Sequence, residues 1–228
     1  MPVDNAVPAT STPKTSAPAT TGAPTPLAAG FRDPVHDTQA CFRTIMNAMA
    51  RPGTLQPIDA GSLKPPAPLT PVAAAIALTL FDYDTPVWLD KQLTGSEAVK
   101  AFLRFHTGCP IVGEPVEAAF ALVANPAGLI PLASFNQGSA EYPDRSTTVI
   151  LTGQNLNAQE FSGGEAVTLS GPGIEKTVSF AASPVPPVFW DQVAANNRQF
   201  PRGIDLIFAG ANALAALPRS TRIQKAEA

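Results

Sequence analysis

Three stretches limit the fold more than any others: AFALV (119–123), TTVILT (147–152) and GIDLIFAG (203–210). Each is an apolar run of strand length, which reads as a buried strand. TPVWLD (85–90) is a shorter strand, and AVTLSGPGIEKTVSF (166–180) reads as a hairpin turning at Gly-Pro-Gly. Helical segments separate these strands along the whole chain, so the class is α/β with a layered arrangement. Sheet order is not readable from the pattern.

The helices carry their own start and stop signals. Asp33 is a good N-cap and Pro34 sits at the first helical position, where its missing N–H costs nothing. Arg51-Pro52-Gly53 ends that helix. At roughly 100° per residue, Val35, Thr38, Phe42, Ile45, Met46 and Met49 share one face, which is expected to pack on the core. His36, Gln39, Arg43 and Asn47 share its flank. Thr70-Pro71 opens a second helix running to about Phe81, and its valine, isoleucine and many alanines predict burial on most sides. Ser96 caps a third helix that ends at Thr107-Gly108, and a fourth is expected near 187–198.

A chain of 228 residues can bury a sizeable core, and one domain of roughly 200 residues is the natural expectation. Residues 1–29 are rich in Pro, Thr, Ala and Ser and lack the large apolar residues that offset ordering entropy. They read as a disordered tail, with the domain spanning 30–228. No apolar segment follows the single Lys14, so the tail does not read as a signal peptide. The longest apolar stretch, VAAAIALTLF at 72–81, is too short to span a bilayer. Two cysteines, Cys41 and Cys109, fit a reducing compartment, and the expected location is the cytoplasm. The net charge of −3 and scattered arginines give no footprint for nucleic acid.

His36 beside Asp37 invites a catalytic reading, but neighbours on a helix point about 100° apart. Asp33 can reach His36, yet it is wanted as the cap. The flank of His36, Gln39, Arg43 and Asn47 suits an anion pocket, a subunit contact or simple solvation. His106 closes the third helix and can bond a last carbonyl. One H-x₂-C and one H-x₄-C spacing do not make a metal site, and Cys109 is a poor candidate for a nucleophile. The arginines of FPRGIDLIF and ALPRSTRI sit at strand edges, where either could meet an oxyanion. No nucleotide loop, dinucleotide fingerprint or serine-hydrolase elbow is present.

Seven stretches in order resemble PhnH, the H-subunit family of the bacterial carbon–phosphorus lyase system. They are GFRDPVHDTQACFRTIMNAMARPGT, TLFDYDTPVWL, LRFHTGCPIV, GSAEYPDRSTTVIL, TLSGPGI, FPRGIDLIF and ALPRSTRI, across about residues 30–223. The resemblance implies an α/β/α sandwich with a mixed sheet, akin to pyridoxal-phosphate-dependent transferases but without the cofactor site. It implies no cofactor, no metal, and a homodimer when alone. It also implies work as a subunit with G, I and L partners, displacing adenine from ATP by methylphosphonate to give ribose 1-methylphosphonate 5-triphosphate. The J subunit, an iron–sulfur radical enzyme, then cleaves the carbon–phosphorus bond. Asp33, Asp37, Glu141 and Asp144 lie in matched stretches, but the resemblance gives the glycosidic chemistry to the I subunit, so no catalytic residue is assigned. The substrate or interface candidates are His36, Arg43, Asn47, Arg104, His106 and Arg202. A second reading is a phosphonate- or nucleotide-binding module with Arg43, Arg104 and Arg202 as anion contacts.

Overall fold

The computed structural model describes residues 27–156 and 166–225. The tail expected over 1–29 falls mostly on residues outside that range. In chain order the elements are α1 (Pro34–Ala50), β1 (Gln56–Pro57), α2 (Pro71–Leu80), β2 (Val87–Leu89), α3 (Lys91–Thr94), α4 (Glu97–Thr107), β3 (Ile111–Val112) and β4 (Phe120–Val123). They continue with β5 (Thr148–Leu151), β6 (Val167–Ser170), β7 (Val178–Phe180), α5 (Phe189–Asn197), β8 (Asp205–Ala209), β9 (Ala213–Leu217) and β10 (Arg222–Lys225).

The predicted capping signals are in place. Asp33, Thr70 and Ser96 each accept a backbone N–H bond at the first turn of α1, α2 and α4, and Gly108 ends α4 in the left-handed conformation at φ 73°.

Seven strands form one sheet in the order β1-β9-β8-β5-β4-β2-β3. The run β3-β2-β4-β5-β8 is parallel throughout, while β9 is antiparallel to both β8 and β1. The sheet is therefore mixed, in an α/β fold. The apolar runs behave as expected: every residue of β8 is buried. Side-chain alternation divides them between two cores. Ile207 and Ala209 of β8 join Leu122 and Ile150 beneath α1, α2 and α4. Leu206 and Phe208 join Val149 and Leu151 on the other face. Burying each such large side chain contributes roughly 1.5–3 kcal/mol relative to leaving it in water.

The first face is covered by helices. Residues Val72 to Ala77 of α2 are at most 1% exposed, as its composition predicts. The second face differs from a plain helical layer. It is covered by α5, through Phe189, Trp190 and Val193, and by a three-stranded antiparallel sheet in the order β10-β6-β7. The expected 166–180 hairpin supplies two of these strands, paired Val167 to Phe180. No helix among the described residues is long and apolar enough to cross a membrane.

Candidate functional site

The face of α1 that meets the core only partly matches the one the apolar periodicity selects: Ile45 is buried and Met49 packs against the core as expected. The buried residues are Cys41, Ile45 and Ala48. Small side chains suit this contact because α1 lies over β9, whose sequence ALAAL is itself alanine-rich. Val35, Phe42 and Met46, expected inside, are instead 62%, 47% and 50% exposed. Their spacing of seven and then four residues aligns them as one apolar stripe along the outer side of the helix. Gln39 and Arg43 beside them are exposed and joined by a 3.4 Å contact from Nη2 to Oε1. The observed face is a charged-flanked apolar ridge.

Asp33 takes both roles that the sequence sets in competition. Its Oδ1 accepts the His36 backbone N–H at 3.1 Å, and its Oδ2 accepts from His36 Nδ1 at 2.8 Å. Asp37 Oδ2 in turn accepts the Asp33 N–H at 3.0 Å. The backbone and side-chain bonds from His36 hold the Asp33 carboxyl below its ordinary pKa. His36 itself is a surface residue, its side chain 80% exposed.

His106 has a structural position. Its Nε2–H donates to the Ala28 carbonyl at 2.9 Å, and its ring lies against Phe102 and Phe105 with centroids 4.6 and 5.0 Å away. A Cβ on Gly30 would come within 3.0 Å of its Nδ1, so the glycine lets the chain pass over the imidazole into α1. Burial pushes the thiol pKa of both Cys41 and Cys109 upward, which disfavours the nucleophilic thiolate. Among the described residues no three His, Cys, Asp or Glu side chains are grouped to share a metal.

The six candidate residues do not form one cluster. His36, Arg43 and Asn47 lie on α1, and Arg104 and His106 on α4, in the same helical layer over α2. Arg202 lies in the turn before β8, next to Phe200 and Pro201, which border a cavity with Met49 near the far end of α1. Met49 is thirteen residues from His36, or roughly 20 Å along the helix. None of the cavities described below is lined by Arg43, Arg104 or Arg202.

What the sequence conceals is the partner of Arg219. Its guanidinium forks onto the Asp205 carboxylate, with Nε to Oδ1 at 3.1 Å and Nη2 to Oδ2. Its backbone N–H adds a 2.8 Å bond to the same Oδ1, and Nη1 donates to the Pro143 carbonyl. The oxyanion sought for this arginine is thus internal. The pair ties GSAEYPDRSTTVIL, FPRGIDLIF and ALPRSTRI together beside a cavity of about 370 Å³ that Phe200 and Ser220 also border. A nearby close approach joins two more stretches. Gly173 of SGPG, at φ 80°, abuts the end of α1, where a Cβ would stand 2.2 Å from the Ala50 carbonyl oxygen and 2.9 Å from Pro52 Cδ. The signals Arg-Pro-Gly and Gly-Pro-Gly are therefore two halves of one contact.

Comparison with known proteins covers the same stretches. The family described as bacterial phosphonate metabolism protein (PhnH) matches residues 29–224. The chain belongs to the PhnH family. A Rhizobium meliloti (strain 1021) relative named alpha-D-ribose 1-methylphosphonate 5-triphosphate synthase subunit PhnH is 40% identical over 195 residues, covering 86% of this chain and 94% of that protein. A Stutzerimonas stutzeri protein carrying the name C-P lyase subunit protein HtxG is 27% identical over 185 residues, covering 81% and 85%. The PhnH match spans both cores, the exposed stripe of α1 and the Asp205–Arg219 node.

Proposed function

We propose that this chain is a subunit of the carbon–phosphorus lyase system. It works with G, I and L partners to form ribose 1-methylphosphonate 5-triphosphate from ATP and methylphosphonate, ahead of carbon–phosphorus bond cleavage by the J partner, and the outer face of α1 is its docking surface. The relatives' names support the subunit role. The observation that carries the docking surface is the stripe of Val35, Phe42 and Met46, apolar and about half-exposed inside a family-matched stretch. A ridge of this kind lies along a groove of a partner as an amphipathic helix does, with its anchors spaced at helical turns. Arg43 and Asn47 form a polar rim on the same helix and contribute register more than affinity. Alone, two copies can cover the same stripe by pairing α1 with α1, which gives a homodimer. Action in the cytoplasm, where ATP is available, goes with this role.

The chain is read as a non-catalytic transferase subunit whose layered core resembles pyridoxal-phosphate-dependent transferases without serving a cofactor. None of its described cavities is lined by a lysine that could hold such a group. The test is assembly. The purified chain is mixed with the G, I, J and L subunits and run by sedimentation velocity. Co-sedimentation that Phe42→Gln abolishes is the expected result, and separate boundaries for the wild-type chain would defeat the proposal.

A further inference from the structure

The arginines are scattered in sequence but not in the fold. The parallel strands β5 and β8 begin side by side at Thr148 and Asp205, and antiparallel β9 ends beside them at Leu217. Six of the nine arginines lie within a few residues of that edge or on a segment bonded to it. Arg145 and Arg202 stand three residues ahead of β5 and β8, and Arg219 and Arg222 follow β9. Asn197 Nδ2 donates to the Arg219 carbonyl at 2.9 Å, which brings the end of α5, and with it Arg198, to the same place. The Gly53 N–H donates to the Ala216 carbonyl at 3.2 Å and so brings Arg51 there from the end of α1.

Only Arg219 is paired within the protein, on the Asp205 carboxylate. The other five are exposed, and none has an ion-pair partner among the described residues. Glu175 and Lys176, neighbours in the β6–β7 turn, offset each other, and Glu141 and Asp144 are the remaining exposed carboxylates of these segments. The edge therefore carries five arginines against two carboxylates, an excess of three positive charges on a chain whose net charge is −3. Like charges gathered without partners set up a local potential that an opposite charge relieves.

Aromatic side chains stand among them. Phe200 is 61% and Tyr142 50% exposed, and Arg145 lies over the Tyr142 ring with its Cζ 4.4 Å from the centroid. Phe200 and Ser220 separate two adjoining depressions, of about 370 and 280 Å³. Arginine and exposed aromatic residues, with lysine nearly absent, are the composition of a protein–protein interface. A small anion suits this edge less well. Arg51, Arg145, Arg198 and Arg202 border neither depression, so their charge spreads over a surface instead of converging on a pocket. A two-fold contact of the edge with itself would set arginine against arginine.

We infer that this arginine-rich edge is a second docking surface, which takes an acidic face of a partner subunit and seats apolar side chains of that partner beside Phe200. The inference rests on the subunit role proposed above. It adds a surface other than the α1 stripe, held by charge where the stripe is held by apolar burial.

The test is fluorescence anisotropy of the labelled full chain against the assembled G, I, J and L subunits, repeated across salt concentrations. Affinity of the wild-type chain is expected to fall at least about tenfold between about 50 and 300 mM salt. Arg202→Glu with Arg222→Glu is expected to weaken binding at low salt at least about tenfold and to flatten that salt dependence. Both residues are exposed, so the fold should tolerate the reversal, and Arg202→Gln with Arg222→Gln serves if it does not. Phe200→Ala is expected to weaken binding severalfold and leave the salt dependence as it is. If the wild-type chain does not bind at any salt concentration, the subunit role and this inference fall together. If it binds with an affinity indifferent to salt and to charge reversal, the subunit role stands and this inference is overturned. It is overturned also if the reversal instead abolishes saturable binding of ATP or self-association of the chain, since the edge would then belong to a small anion or to a second copy.

Discussion

Replacing Phe42 and Met46 by glutamine separates docking from folding. Phe42 is 47% and Met46 50% exposed. An aromatic side chain can bury about 150–250 Å², so roughly 70–120 Å² of Phe42 remains for a partner to cover. At about 25 cal/mol per Å² this is about 2–3 kcal/mol, and Met46 offers about 2 kcal/mol by the same reckoning. A glutamine in either place would also take an amide into the covered surface. The pair of substitutions should therefore weaken association by about 4 kcal/mol, close to a thousandfold in Kd. Within the isolated chain, the glutamine methylenes still cover the inner half of each position, and glutamine is a good helix former. The urea unfolding midpoint should thus shift by about 1 kcal/mol or less. Fluorescence anisotropy of the labelled chain against the assembled partner subunits reads the affinity. A double variant that binds like wild type, with its stability unchanged, would refute the placement of the interface on this stripe.

Gly173→Ala must adopt φ 80° and displace the Ala50 carbonyl. We expect a loss of about 3 kcal/mol or more in urea unfolding, from left-handed strain and overpacking together. Asp205→Asn leaves the Arg219 guanidinium, whose side chain is only 15% exposed, without its charge partner. A loss of about 3 kcal/mol is expected by the same measurement. Asp33 has a lowered pKa in the folded chain, so its contribution is full above the ordinary value of 3.8 and is lost as pH falls through the folded value. Asp33→Asn should accordingly flatten the fall in melting temperature below about pH 4.

Much of this architecture is legible in the residues. Asp33-Pro34, Thr70-Pro71 and Ser96 mark helix starts because capping is local chemistry, and β5 and β8 are evident because strands buried on both faces are continuously apolar. The orientation of α1 is legible only in part, through Ile45 and Met49, which do meet the core. An exposed apolar stripe and a core-facing stripe share one periodicity, and Val35, Phe42 and Met46 outweigh the smaller Cys41 and Ala48 that pack inside. β9 is hidden for a related reason, since ALAAL favours helix by propensity and becomes a strand through its neighbours β8 and β1 and the close cover of α1. The Asp205–Arg219 fork joins residues fourteen apart whose meeting depends on the antiparallel register of β8 and β9. The gathering of arginines has no motif at all, because it is made by segments that adjoin only once β5, β8 and β9 are paired. Of the site candidates, His106 is read correctly as a helix-end residue, but its carbonyl partner, Ala28, comes from the chain ahead of α1.

The most direct test of the subunit role is adenine release from ATP plus methylphosphonate by the G, I and L subunits, with and without this chain. Release that depends on the wild-type chain and is lost with the Phe42 and Met46 glutamine variant is the predicted result. Release at the same rate without the chain would contradict it.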